Sequence, residues 1–130
     1  LSIDGIKQDK QEVKEKKQSY SDENLKWVKT GMVNVTKEGG TAAFLGRKSD
    51  YQMASKTGTA QVFGLKKDQE YNEDIIPDKL KDHALFITYA PAINPEIVIA
   101  VIVENGGHGG SVAGPIAKEV LDAYLINKKL

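Results

Sequence analysis

Four consecutive residues, Lys56 to Thr59, are the part of this sequence that could bind an anionic substrate. Lys56 stands in an apolar, strand-like stretch, where a cation is costly unless its charge has a role or a partner. Thr57 and Thr59 are two residues apart, so in a strand both hydroxyls would point to one face. Gly58 between them would let a ligand backbone come close. Together these residues predict a site that binds an extended substrate ending in a carboxylate, by strand addition.

The same four residues also fit a second interpretation. An edge strand often carries a lysine that discourages pairing with another chain, and such a strand needs no ligand. The spacing of these residue types does not decide between a carboxylate-binding strand and a protected edge strand.

Two histidines are the other candidates for chemistry. His83 opens an apolar, strand-like segment, which favours a structural histidine over a catalytic one. His108 lies in a Gly-Gly-His-Gly-Gly sequence, which could suggest a metal or phosphate loop. The glycines do not match a P-loop, however, and two histidines without cysteine are a poor set of metal ligands. We therefore expect a flexible turn between a strand and a helix around His108.

The composition limits the classes of protein to which this chain can belong. Its 130 residues allow one domain or part of one, and 40% hydrophobic residues are enough for a core. Lys plus Arg and Asp plus Glu are both 18, and the resulting net charge of zero argues against a nucleic-acid partner. The absence of cysteine excludes disulfides and thiolate metal sites. The chain starts at Leu1 rather than Met, which suggests a start inside a longer gene product.

The first helix can be predicted from the hydrophobic pattern. Residues 1–21 are polar and lysine-rich, so we expect a solvated loop or arm there. Ser21 or Asp22 can cap the helix that follows, and Gly39-Gly40 can end it. Its apolar residues recur at three- and four-residue steps and form one stripe, with Trp27 beside it in the core: Leu25, Val28, Met32 and Val35.

Three strands and a last helix are predicted downstream. Residues 53–63, 84–90 and 96–103 read as strands, the third buried on both faces because it is a run of Ile and Val. About five residues separate the second and third strands, which should therefore form an antiparallel hairpin. Pro115 fits the first turn of the final helix. The apolar face of that helix would comprise Ile116, Ala117, Val120, Leu121, Tyr124 and Leu125. This order predicts an α+β fold, an antiparallel sheet with packed helices.

The surroundings of the four residues resemble those of a known family. Lys-Thr-Gly is the third motif of serine β-lactamases and penicillin-binding proteins. Residues 53–64, Met-Ala-Ser-Lys-Thr-Gly-Thr-Ala-Gln-Val-Phe-Gly, look like the strand that carries this motif in class B penicillin-binding proteins. Residues 82–91, 96–107 and 111–118 resemble that family's next two strands and the start of its last helix. Residues 59–65 are most similar to the elongation-type members.

The resemblance implies that residues 22–130 are the C-terminal portion of a transpeptidase domain of the penicillin-binding-protein and serine β-lactamase-like fold. Members of this family need a Ser-x-x-Lys nucleophile motif and a Ser-x-Asn motif. No serine of this chain has a lysine three residues on or an asparagine two residues on. The nucleophile is therefore expected upstream, outside this chain, and the chain alone is expected to be inactive.

The same resemblance implies roles for the four residues. Lys56 would hold positive potential near the substrate carboxylate and help the proton relay. The hydroxyls of Thr57 and Thr59 would bind that carboxylate, and Gly58 would leave room for the substrate backbone. The backbone N–H of Thr59 would be one of two oxyanion donors. No metal or organic cofactor is implied.

For the intact protein, the resemblance implies a peptidoglycan D,D-transpeptidase that cross-links stem peptides through a serine acyl-enzyme and is acylated by β-lactams. Its implied partners are the remainder of the domain, as a companion chain or otherwise, and the cell-elongation machinery. Its implied location is the periplasmic face of the bacterial inner membrane, held by an anchor absent here. Two alternatives stay open. One is a β-lactamase or β-lactam sensor of the same fold, and the other is a non-catalytic binding module that holds a partner with residues 106–110.

Overall fold

The computed structural model describes residues 19–62 and 76–126. Its elements in chain order are α1 (Asp22–Asn34), α2 (Ala43–Gly46), β1 (Ala54–Ala60), a 3₁₀ turn (Asp78–Leu80), β2 (His83–Ala90), β3 (Ile97–Val103) and α3 (Ala113–Leu125). The predicted order of helix, strand, hairpin and helix is confirmed. Most of the predicted polar arm and the end of the first predicted strand, at Phe63, lie outside the described residues. None of the helices in the described parts is both long and apolar enough to cross a membrane.

The sheet of the described residues has three strands in the order β1-β2-β3. Both neighbouring pairs are antiparallel, with Ala60 opposite His83 and Ala90 opposite Ile97. The loop between β2 and β3 contains Asn94 at a positive φ of 53°, a conformation that asparagine tolerates better than most residues. The predicted antiparallel hairpin is therefore confirmed, and β1 and β3 are the two edges of the described sheet.

Helix α3 closes the core on one face of the sheet by packing on β2 and β3. Its buried residues are Ala113, Gly114, Ala117, Leu121 and Leu125. A Cβ atom at Gly114 would lie 2.8 Å from Leu45 Cδ1 and 3.5 Å from Phe86 Cε2, so the backbone there is in close contact with the core. The small residues of the first turns thus let the helix approach the sheet closely over Phe86, which is 1% exposed.

The apolar face of α3 differs from the one predicted. Ala117, Leu121 and Leu125 are buried as expected, but Val120 is 46% and Tyr124 39% exposed, so the prediction that these two pack on the sheet is wrong. Ile116 is exposed as well. The predicted apolar face spans more than one side of a helix. The sheet contacts the side that carries residues 113, 117, 121 and 125, which follow one another at four-residue steps.

Helix α1 has the predicted start but not the predicted burial. Ser21 Oγ accepts a hydrogen bond from the N–H of Asn24 at 3.2 Å, which confirms the cap. The helix ends at Asn34, before the predicted glycine stop, and Gly39 takes a φ of 80° in the turns that follow. No residue of α1 is buried, and Trp27 is 69% exposed, so its predicted place in the core is wrong.

Strand β3 has the composition of a strand buried on both faces, yet one of its faces is open. Ile97, Ile99, Val101 and Val103 pack against the core. Val98 and Ile102, which alternate with them, are 76% and 66% exposed on the face opposite α3. The predicted two-sided burial is therefore not found among the described residues, although the sequence of the strand is suited to it.

Candidate substrate-binding strand

The Lys-Thr-Gly-Thr segment occupies the middle and end of β1, an edge strand of the described sheet. Its partners on β2 are Ile87 for Lys56, Phe86 for Thr57, Leu85 for Gly58 and Ala84 for Thr59. On the other side of β1, the backbone N–H and C=O groups have no strand partner among the described residues. An extended peptide could therefore pair with this edge by strand addition.

Alternation along β1 places the lysine and the threonines on opposite faces of the sheet. Ser55, Thr57 and Thr59 lie on the face that α3 covers, because the β2 residues opposite them are buried. Exposure rises along this row, from fully buried Ser55 through half-buried Thr57 to exposed Thr59. The two threonine hydroxyls therefore share one face, as predicted, while Lys56 starts from the other.

The ammonium group of Lys56 is at the surface. The side chain is exposed, and its Nζ donates a hydrogen bond to the C=O of Thr57. No described carboxylate lies within ion-pair distance of it. If an anionic ligand bound at this charge, exclusion of water by the ligand would strengthen the attraction.

Two buried hydrogen bonds hold the first half of β1 in the core. Met53, Ala54 and Ser55 are buried. Thr36 Oγ1 donates to the C=O of Met53 at 3.1 Å, and Ser55 Oγ donates to Thr88 Oγ1 at 2.9 Å. A buried polar group without a partner would cost about 1–3 kcal/mol, so these bonds stabilise the local fold. The strand consequently has a buried half and an exposed half, and the exposed half carries the Lys-Thr-Gly-Thr segment.

Asp82 and His83 hold the chain next to the exposed half of β1. Asp82 is buried, its Oδ1 accepts a hydrogen bond from the N–H of Val62 at 3.2 Å, and its C=O accepts from the N–H of Gly107 at 2.8 Å. His83 Nδ1 accepts from the N–H of Asn105 at 2.9 Å, so the neutral ring carries its proton on Nε2. These bonds support the structural role predicted for His83. They fix the first part of the β3–α3 loop, residues 104–112.

His108 lies exposed in the β3–α3 loop. Its C=O accepts hydrogen bonds from the N–H of Val112 at 3.1 Å and from Ser111 Oγ at 3.2 Å. This is the strand-to-helix turn expected from the sequence. In the parts of the chain that the structure describes, no group of three His, Asp or Glu side chains is placed to hold a metal ion.

A polar cluster of Tyr51, Lys118 and Asp122 was not found by sequence reasoning. The hydroxyl of Tyr51 donates to Asp122 Oδ1 at 2.7 Å, and Lys118 Nζ lies 2.6 Å from the same oxygen. The Lys118 ammonium also lies 5.5 Å from the centre of the Tyr51 ring. Burial raises the pKa of Tyr51 well above its usual range, and the hydrogen bond to Asp122 and its negative charge raise it further. No motif signals a contact between residues so far apart in the chain, although Lys118 and Asp122 have helical spacing.

Ser55 and Ser111 do not have the environment of a nucleophile. Ser55 is fully buried and donates to Thr88, and Ser111 donates to a backbone carbonyl. Neither hydroxyl is paired with a basic side chain that could take its proton. The geometry therefore supports binding at β1 and offers no covalent chemistry at these two serines.

Comparison with known proteins finds a family model that covers most of the chain. Residues 2–122 match the family model described as the penicillin binding protein transpeptidase domain. The peptidoglycan D,D-transpeptidase MrdA of Haemophilus influenzae is 46% identical over 104 residues, which make up 79% of this chain and 16% of that protein. The chain thus spans less than a fifth of the length of this relative.

Two solved structures share the fold. The penicillin-binding protein PBP2 of Helicobacter pylori, in complex with MreC, matches with a TM-score of 0.62 and 31% identity over 85% of this chain and 19% of that one. Penicillin-binding protein A of Mycobacterium tuberculosis, as an imipenem acyl-enzyme complex, matches with a TM-score of 0.60 and 31% identity over 85% of this chain and 21% of that one. The α+β fold and the resemblance to elongation-type penicillin-binding proteins are confirmed by these matches.

Proposed function

The chain belongs to the penicillin-binding protein transpeptidase family, and on that basis we propose that it forms the substrate-binding strand of a peptidoglycan D,D-transpeptidase. The observation that carries this proposal is the position of Lys-Thr-Gly-Thr on the exposed half of an edge strand. In the reaction, a serine attacks the D-Ala-D-Ala peptide bond, D-Ala leaves, and an amine of a second stem peptide resolves the acyl-enzyme. That serine would lie in a part of the protein outside this sequence.

The strand would bind and polarise the substrate. The hydroxyls of Thr57 and Thr59 would donate to the terminal carboxylate of the stem peptide, or to the carboxylate of a β-lactam. The N–H of Thr59 would be one of two oxyanion donors, and removal of such a donor typically costs about 10²–10³ in rate. Lys56 would add positive potential and help the proton relay. Because it starts from the opposite face of β1, its flexible four-carbon stem would carry the ammonium around the strand edge.

The partners and location of the complete protein follow from the same assignment. Stem peptides and β-lactams would bind along the free edge of β1, and acylation of the Mycobacterium tuberculosis protein by imipenem supports the second of these. The MreC complex of the Helicobacter pylori protein supports contact with the cell-elongation machinery. The protein would act at the periplasmic face of the bacterial inner membrane, through an anchor outside this sequence. Hydrolysis of the same acyl-enzyme would give D-Ala-D-Ala carboxypeptidase activity.

The remainder of the domain would cover the open faces of α1 and β3. Trp27 and Val28 on α1, and Val98 and Ile102 on β3, are all more than half exposed. Exposed apolar surface of this kind promotes association. We therefore assign these faces to the part of the domain that contains the nucleophile, in the same polypeptide or in a companion chain.

Labelling with a fluorescent penicillin tests the proposed function. The complete protein should form a covalent adduct at a serine outside this segment. This chain, purified alone, should form none, because it lacks the nucleophile motif. An adduct on any serine of this chain would overturn the assignment.

The lifetime of the adduct separates the alternatives. A transpeptidase stays acylated for long times, whereas a β-lactamase of the same fold releases hydrolysed penicillin quickly. A complete protein that is folded but never labelled would favour the non-catalytic binding module. The names of the relatives favour the first outcome.

A further inference from the structure

We propose that Gly109 is a positioning residue for the substrate-binding strand, because its backbone lies directly against Gly58 and sets the position of β1. This inference rests on the proposed function, since it concerns how the same strand is held. In this role Gly109 does not contact the substrate. It acts through Gly58 on the threonines to either side.

The contact between Gly109 and the sheet leaves no room for a side chain. A Cβ atom at Gly109 would lie 2.1 Å from the carbonyl oxygen of Leu85 and 2.3 Å from that of Gly58. It would also lie 3.0 Å from the nitrogen of Gly58. Gly58 and Leu85 are paired residues of β1 and β2, and the atoms in question belong to the backbone. No change of rotamer could therefore relieve the overlap, and either the loop or the strand would have to move.

The loop that carries Gly109 is bonded to its surroundings on both sides. Before Gly109, the N–H of Asn105 donates to His83 Nδ1 at 2.9 Å and the N–H of Gly107 donates to the C=O of Asp82 at 2.8 Å. After it, the N–H of Gly114 in α3 donates to the C=O of Gly109 at 2.9 Å. A retreat of the loop would break these bonds. The exposed half of β1 has a strand neighbour on one side only among the described residues, so it would yield first.

The position of β1 matters because Thr57 and Thr59 flank Gly58 on the loop side. Gly110, next in the loop, is close to this row, since a Cβ atom there would lie 3.3 Å from Thr57 Cγ2 and 3.3 Å from the C=O of Thr41. A shift of β1 away from the loop would move both hydroxyls and the N–H of Thr59 together. A misplacement of about 1 Å can cost about 10²-fold in rate.

The experiment uses the complete protein and compares acylation by a penicillin with acylation by its methyl ester. The ester lacks the anionic group that Thr57 and Thr59 would bind. Gly109→Ala should slow acylation by the free acid about 10- to 100-fold and slow the ester less, so that the preference for the acid falls. A variant that merely reduced the folded fraction would slow both equally. Lys48→Ala is the control, because it truncates an exposed side chain outside β1 and the β3–α3 loop, and it should change neither rate.

Gly110→Ala keeps the proposal testable if Gly109→Ala does not fold. The added methyl group would lie 3.3 Å from Thr57 Cγ2, a close contact that a shift of a few tenths of an ångström can relieve. We therefore expect Gly110→Ala to lower the preference for the acid at a nearly unchanged melting temperature. The proposal is overturned if Gly109→Ala folds and keeps the parent's preference for the acid. If Gly109→Ala does not fold, the proposal is overturned when Gly110→Ala keeps that preference or also fails to fold. A parent protein that is never acylated would refute the proposed function instead, so the two failures are distinguishable.

Discussion

Lys56 can serve an anionic substrate or protect an edge strand, and its surroundings in β1 allow both roles. The side chain is exposed, and its Nζ donates to the C=O of Thr57. In the first role the charge acts inside the cleft that the complete domain would form, where exclusion of water strengthens its attraction to a carboxylate. In the second role the charge acts in bulk solvent and changes little except solubility. Removal of the charge should therefore weaken attraction to the substrate carboxylate in the first role and change little except solubility in the second.

Lys56→Ala in the complete protein is expected to slow acylation by penicillin by about tenfold or more, which corresponds to about 1.4 kcal/mol in the barrier. The melting temperature should change little, because substitutions of exposed side chains usually alter stability by less than about 0.5 kcal/mol. Stopped-flow acylation and thermal melts of the same samples measure both quantities. Lys48→Ala removes another exposed lysine, outside β1, and should leave acylation unchanged. If Lys56→Ala acylates like the parent, the edge-strand interpretation is correct.

At the scale of elements, a hydrogen bond connects α3 to the segment just before β1. Tyr51 precedes the strand, and its hydroxyl donates to Asp122 of α3 at 2.7 Å. Asp122 is also paired with Lys118 one helical turn earlier. The buried end of the substrate-binding strand and the helix that covers the core are thus fixed to each other by one polar cluster.

Tyr51→Phe should lower the free energy of unfolding of the complete protein by roughly 1–2 kcal/mol at neutral pH, since it removes a hydrogen bond to a charged acceptor. Burial and Asp122 raise the pKa of Tyr51 in the folded state. The contribution of the hydroxyl is therefore fully present below the unfolded pKa of about 10, and it falls as the pH rises further, because the unfolded tyrosine loses its proton first.

The measurement is denaturant unfolding of parent and Tyr51→Phe between pH 7 and pH 11. The difference between them should shrink above about pH 10. Tyr20→Phe alters a tyrosine that is 67% exposed and should show no difference at any pH. A stability gap for Tyr51→Phe that is constant across this range would contradict the assigned environment of the hydroxyl.

Patterns among residues close in the chain predicted most of the helices and strands. Features that depend on contacts between residues far apart in the chain could not be predicted. The Ser21 cap and the antiparallel hairpin depend on residues near each other in the chain, and both were predicted correctly. Trp27 and Tyr124 were misplaced because an apolar stripe shows that a side chain can be buried and not what covers it. The Lys-Thr-Gly-Thr strand was found by its motif, whereas the contact of Gly109 with Gly58 joins two glycines without any pattern that connects them.

At the scale of the whole molecule, β3 is a strand whose sequence and surroundings disagree. It is apolar at every position, as in strands buried on both faces, yet its outer row is open and its outer edge has no strand partner in the described part of the chain. The chain also spans 16% of the length of MrdA of Haemophilus influenzae. Both observations are consistent with the proposal that another part of the complete protein covers β3.

Val98→Lys tests whether the outer face of β3 is covered in the complete protein. In this chain alone Val98 is 76% exposed, so a lysine there should reduce self-association, measured by sedimentation, without loss of helix or sheet signal in circular dichroism. In the complete protein the same lysine would be buried without a partner and should destabilise the fold on the order of several kcal/mol. Ile93→Lys is the matched control, since Ile93 is 77% exposed but lies in the loop between β2 and β3. Equal stability of the two lysine variants in the complete protein would show that the outer face of β3 is open there as well, and would refute the proposed cover.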